Sequence, residues 1–262
     1  MVELTEESVW HEYYDAFSYL NIGDIRPLCH PRKFLHPGGS GRAVVLIHGL
    51  TDSPYSVAAI GNYFYNELGY DVYLPLLQTH GLKDAGGMRG VQLAAWKKNV
   101  QFAVEAAATG DRRVSTGGLS TGGALAFNVN VLDPRVDGEL YLFSAAFGLY
   151  GGKWNFFSSV VEGFLALPIV PLMTTGSTLV AENPYRYKRV PLIAARELVS
   201  LIGENRLLLQ EIENEAILPP KVFSAWSEAD RVVRIDLLND FKCILPQGSF
   251  CSFIVPQKAD VS

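Results

Sequence analysis

Apolar runs and helical periodicities alternate along most of this 262-residue chain. Arg42-Ala-Val-Val-Leu-Ile47 is apolar at successive positions, as a strand buried on both faces requires, and it runs into His48-Gly49. Val57, Ile60, Phe64 and Leu68 then recur at intervals of three and four, the spacing of an amphipathic helix, which Gly69 closes. Tyr70 to Leu74 reads as the next strand, and Trp96, Val100, Val104 and Ala107 mark a second helix ending near Gly110. Arg113 to Thr116 reads as a strand, Gly122 onward (Leu125, Val129, Leu132) as a helix, and Leu140 to Phe143 as a strand. From Ala145 to about Pro219 the alternation lapses into aromatics, Pro and Gly, followed by a helical stretch over Leu192 to Glu215. Lys221 to Ala225 restores a strand, Ile235 to Phe241 a helix, and Phe250 to Val255 a last strand. Strands separated by helical segments predict a single α/β domain with a mostly parallel central sheet and helices on both faces. The lapse over 145–219 predicts a small inserted cap, because loops at the carboxyl edge of such a sheet surround the ligand crevice.

Hydrophobic residues make up 48% of the chain and charged residues 19%, enough for a sizeable core, which excludes a disordered or collagen-like chain. The net charge of −5 and the absence of a basic run exclude nucleic acid as an expected partner. Met1-Val-Glu-Leu-Thr-Glu-Glu7 is acidic where a signal peptide would be basic and then apolar, so the expected location is cytoplasmic. Phe156 to Met173 is strongly apolar, yet Glu162, Pro168 and Pro171 interrupt it. We read it as a buried or ligand-covering segment, not a transmembrane one. Cys29, Cys243 and Cys251 are an odd set without CxxC spacing, which suits free thiols in a reducing compartment. With no metal-ligand spacing, P-loop or dinucleotide fingerprint, neither a metal nor a cofactor is expected.

The residues that carry chemistry centre on Gly118-Leu119-Ser120-Thr121-Gly122, between the strand at Arg113 and the helix at Gly122. A nucleophilic serine at a tight strand-to-helix turn needs small neighbours, because the backbone folds back where a side chain would clash. The strand ending at Ile47 leads into His48-Gly49-Leu50, where this architecture offers a backbone N–H to a developing oxyanion. The residue after the nucleophile, Thr121, offers the other. His48 directly follows a buried strand and reads as a local hydrogen-bonding residue that shapes this loop. Asp230 follows a late strand in Ser227-Glu-Ala-Asp-Arg-Val-Val233 and is the candidate triad acid, with Glu228 and Asp236 as competitors.

Val45-Leu-Ile-His-Gly-Leu-Thr-Asp-Ser-Pro54, Gly69-Tyr-Asp-Val-Tyr-Leu-Pro75 with Thr79-His-Gly81, Gly118-Leu-Ser-Thr-Gly122 and Ser227-Glu-Ala-Asp-Arg-Val-Val233 together resemble the serine α/β-hydrolases. More narrowly they resemble bacterial carboxylesterases and monoacylglycerol lipase-like enzymes with a small cap. The resemblance spans Ala43 to Val255, with the motifs in the family's order. It implies hydrolysis of a small-molecule ester through a seryl acyl-enzyme. Ser120 would be the nucleophile, Asp230 the acid, and the N–H groups of Leu50 and Thr121 the oxyanion hole.

One feature departs from the family pattern. The family's base is a histidine after the last strand, and the histidines here are His11, His30, His36, His48 and His80, all before Ser120. The triad histidine is therefore absent from the sequence, and the family's closing helix also has no counterpart. The expectation is a chain truncated before both. Two alternatives are His80 serving as the base, and a non-catalytic relative that binds apolar ligands.

Overall fold

Strand β2 (Arg42–Ile47) is buried from Ala43 to Ile47, and its continuous apolar run is explained by helices on both of its faces. A computed structural model describes residues 6–84, 86–148, 174–178, 183–215, 217, 220–230, 233–234 and 236–257. The other strands are β1 (Arg32–Phe34), β3 (Asp71–Leu74), β4 (Arg113–Leu119), β5 (Leu140–Phe143), β6 (Thr174–Thr178), β7 (Arg189–Pro191), β8 (Val222–Ser227) and β9 (Phe250–Val255). The helices are α1 (His11–Ala16), α2 (Tyr55–Asn66), α3 (Leu93–Ala107), α4 (Thr121–Leu132), α5 (Leu192–Glu213) and α6 (Asp236–Ile244). Seven strands form one sheet in the order β1-β3-β2-β4-β5-β8-β9, parallel except for β1 at the edge. The mostly parallel sheet expected from the sequence is therefore present. Strands β6 and β7 pair separately, antiparallel.

Alternation along β2 divides the core. Val44 and Leu46 join Val57, Ala58 and Phe64 of α2 on one face, while Ala43, Val45 and Ile47 join the larger cluster built by α3, α4 and α5 on the other. The α4 helix is buried at nine consecutive positions from Thr121 to Val129, because it lies between the sheet and α3 and α5. Within the expected cap region of 145–219, α5 buries Ala194, Leu198, Leu201, Ile202, Leu208 and Ile212 in this same core. Residues 149–173, 179–182, 216 and 218–219 of that region lie outside the described residues, and with them the apolar segment 156–173.

The chain leaves β2 toward β3 on one side and returns through α3 to β4 on the other. This reversal is a topological switch point, where the loops following adjacent strands diverge and leave a crevice at their carboxyl ends. Ile47 pairs with Gly118, so the loop after β2 and the turn after β4 start side by side.

Candidate active site

The turn after β4 is held by backbone that admits no side chain. Ser120 has φ 54° and ψ −115°, a region that costs a non-glycine residue about 1–3 kcal/mol. A Cβ on Gly122 would stand 2.0 Å from the Ile47 carbonyl oxygen, and one on Gly118 would stand 2.4 Å from the Gly122 backbone. Strand β5 fixes the turn from the other side: the Ser120 N–H donates to the Phe143 carbonyl (3.0 Å), and the Ala146 N–H donates to the Ser120 carbonyl (3.0 Å). The half-buried Ser120 hydroxyl has no hydrogen-bond partner among the described residues.

Thr121 is fully buried at the first position of α4, and its hydroxyl also lacks a partner among the described residues. Its N–H is one of the orphan donors every helix start leaves. The Leu50 N–H, in the loop after β2, is likewise without an acceptor among the described residues. Two free N–H groups thus lie on the two adjacent loops at the switch point.

Asp230 is half-buried in the turn after β8, where its N–H donates to the Ser227 carbonyl (3.1 Å) and its Oδ1 accepts from the Val233 N–H (3.1 Å). Its competitors are engaged elsewhere. Glu228 is exposed and accepts from the Gln257 N–H (3.2 Å). Asp236 pairs with Arg234, whose hydrogen bonds hold its carboxyl below the usual range.

None of the five histidines is hydrogen-bonded to Ser120. His11 is exposed at the start of α1. His30 contacts the Tyr14 hydroxyl (2.6 Å) and His36 the Asp71 carboxylate (3.0 Å). His48 is fully buried; its Nε2 accepts from the Leu77 N–H (3.2 Å), so Nδ1 carries the proton and donates to the Gly49 carbonyl (2.9 Å). Burial, then the His80 ring 4.8 Å away, pushes its pKa well below the usual value. His48 therefore shapes the loop, as its position after a buried strand suggested. His80 is equally buried, with Nδ1 2.9 Å from the Gln78 carbonyl and Nε2 2.7 Å from the Leu50 carbonyl. Burial lowers its pKa as well. Both ring nitrogens face backbone oxygens, which leaves none to take a proton from Ser120.

Sequence reasoning missed the partners of the loop after β2. Asp52 is buried and accepts an ion contact from Arg186, Nε to Oδ1 at 3.2 Å. Asp52 stands inside the HGLTD stretch, a visible signal. Arg186 lies far along the chain in a segment without periodicity and gave none.

A cavity of about 420 Å³, lined by Lys97, Gln101, Asn128 and Arg135 among others, opens at the far end of α4. A second, of about 210 Å³, lies between α5 and α6 beside Phe147. Neither reaches Ser120. Among the described residues, no group of His, Cys, Asp and Glu is arranged to hold a metal, and no helix is long and apolar enough to cross a membrane. The three cysteines are unpaired: Cys29 is buried, while Cys243 and Cys251 are exposed.

A serine at positive φ between a central parallel strand and a buried helix, facing a glycine-bearing loop from the neighbouring strand, defines the α/β-hydrolase fold. Comparison with solved structures agrees. A solved structure described with the metagenome-derived lipolytic enzymes LipS and LipT matches with TM-score 0.68 at 20% identity, covering 88% of this chain and 88% of that one. A soluble variant of monoglyceride lipase from Saccharomyces cerevisiae matches with TM-score 0.67 at 12% identity, covering 87% of this chain and 81% of that one. The monoacylglycerol lipase of Paleococcus ferrophilus matches with TM-score 0.66 at 17% identity, over 87% and 88%. No family model matches the sequence, and no curated protein matches it either.

Proposed function

We propose that this chain is a carboxylic-ester hydrolase that acts on short to medium acyl esters or monoacylglycerol-like substrates through a seryl acyl-enzyme. The observation that carries the reading is Ser120, held at positive φ between two glycines whose Cβ positions are already occupied by backbone. The fold shared with lipases and monoacylglycerol lipases supports it.

In the proposed reaction the Ser120 oxygen attacks the ester carbonyl carbon and its proton passes to a base. The N–H groups of Leu50 and Thr121 donate hydrogen bonds to the carbonyl oxygen as negative charge develops on it. Backbone donors suit this task because they are fixed beforehand and need no reorganisation. The alcohol leaves with the proton, and water then cleaves the acyl-enzyme to release the acid. Asp230 is the proposed acid of the triad, orienting the base. The reaction needs no cofactor or metal, and nucleic acid has no part in it. Three unpaired cysteines support a cytoplasmic location.

None of the five histidines stands at Ser120, so these 262 residues should turn over esters far below a complete triad. Loss of a triad histidine costs on the order of 10⁶ in kcat. Exogenous imidazole should supply the missing base. We expect imidazole to raise p-nitrophenyl butyrate hydrolysis well above the imidazole blank in the native chain, and Ser120→Ala to abolish that increment. An equal increment in Ser120→Ala would refute the nucleophile. Turnover on the order of 10 s⁻¹ without imidazole would show that a base is already in place, and His80→Ala would identify it.

A further inference from the structure

Four consecutive residues of the loop after β2 are each held by a group from outside it. The Leu50 carbonyl faces Nε2 of His80 (2.7 Å). The Thr51 carbonyl accepts from the Tyr187 N–H (2.7 Å). The Asp52 carboxylate contacts Arg186 (3.2 Å), and the Ser53 hydroxyl donates to the Tyr185 carbonyl (2.9 Å). Three of these four contacts come from one short segment, Asn183–Tyr187, which enters β7. The same segment also binds the neighbouring loop that carries His80. The Tyr187 hydroxyl donates to the Thr79 carbonyl (2.8 Å) and accepts from the Leu82 N–H (3.0 Å). Arg26 anchors the segment from below by donating to the carbonyls of Pro184 (3.2 Å) and Arg186 (3.1 Å).

The Asp52 carboxylate leaves little room for any other arrangement. A Cβ on Gly49 would meet its Oδ2 at 2.7 Å, so the carboxylate packs against the backbone one residue before Leu50. The Arg186 N–H does not point along the line of a hydrogen bond, so the contact acts as charge on charge. A buried carboxylate without its cation would be expensive to keep in place. It would either take up a proton or swing out, and in swinging out it would move the loop.

We propose that the segment Asn183–Tyr187 sets the position of the Leu50 N–H, with Arg186 as a positioning residue acting through Asp52. The inference rests on the oxyanion role given to Leu50 above. Arg186 has no hydrogen bond or ion pair with Ser120 among the described residues, and it works by fixing the loop that carries Leu50. The charge matters more than the shape, so lysine should substitute in part where glutamine should not.

The test has two arms on the native chain. Hydrogen exchange across residues 48–54 should rise at least tenfold in Arg186→Gln and Asp52→Asn, stay near wild type in Arg186→Lys, and leave β4 and α4 unchanged in all three. The imidazole-rescued kcat for p-nitrophenyl butyrate should fall roughly 10- to 100-fold in Arg186→Gln at unchanged KM, since loss of a fully formed oxyanion donor costs about 10²–10³. In the double variant, Arg186→Gln with Asp52→Asn, the losses should be less than additive. Unchanged exchange in 48–54 would overturn the proposal, and so would faster exchange with kcat intact. Failure of the hydrolase reading shows elsewhere, in Ser120→Ala, while the exchange arm reads the loop whether or not the chain turns over.

Discussion

At the scale of single residues, Ser120 carries a backbone cost. Its φ of 54° with ψ −115° is a conformation glycine adopts freely and other residues resist. Ser120→Gly should therefore be more stable than Ser120→Ala by about 1 kcal/mol, or about 2–4 °C in Tm for a chain of this size. Thermal unfolding of the two variants side by side is the check. An alanine variant that melts at the higher temperature would mean that the turn stores no strain. The glycines on either side were readable from the sequence because GxSxG names the positions where a Cβ fails. The nearness behind it, 2.0 Å from a Gly122 Cβ to the Ile47 carbonyl oxygen, depends on a strand seventy-odd residues earlier and needed coordinates.

At the scale of elements, long apolar periods were legible and short pieces were not. Strands β2, β3, β4, β5 and β8 and helices α2, α3, α4, α5 and α6 were read from their patterns, because each buries enough surface to impose a period, while β9, exposed from Cys251 to Ile254, was read from its apolar run alone. Helix α1, of six residues, and β1, of three, are too short to show one; tertiary contacts make them, through Tyr13 under Phe102 and β1 against β3. The start of α3 shows the same dependence. Gln92 provides no side-chain cap, and the Leu93 N–H donates instead to Glu197 of α5 (2.7 Å). Glu197→Ala should cost about 1–2 kcal/mol, as loss of a helix cap does, whereas Glu197→Gln keeps an acceptor and should cost less. Urea unfolding of the pair measures it, and a loss below about 0.3 kcal/mol for alanine would show that water caps α3 equally well. Of the candidate site, Ser120, its loop and Asp230 were readable as local motifs. The contacts of Arg186 and His80 were not, since each joins segments that no local period relates.

At the scale of the whole molecule, two buried imidazoles tie stability to pH. Burial lowers the pKa of His48 and His80 below the value of about 6.5 they regain on unfolding. Below that value the unfolded chain binds protons that the native chain refuses, so stability is complete above pH 6.5 and declines as pH falls. Each imidazole contributes about 1.4 kcal/mol per pH unit through that window. Asp52, whose carboxyl burial pushes upward against the Arg186 charge, acts in the opposite sense. Unfolding free energy should thus fall between pH 8 and pH 5.5, by at most about 1.4 kcal/mol per ring, and His80→Gln should flatten the slope. A flat profile between those values would mean that one or both rings are already charged in the native state.

The segment from Asn183 to Tyr187 also imposes an order on biosynthesis. Tyr185 lies 132 residues after the Ser53 it binds, a stretch that a ribosome takes roughly 7–26 s to make at about 5–20 residues per second. For the last 65 residues of that interval the emerging chain holds Ser120 and the loop after β2, but not the Tyr185–Tyr187 groups that fix the loop. A half-made chain therefore carries Ser120 beside a loop whose position is not yet set.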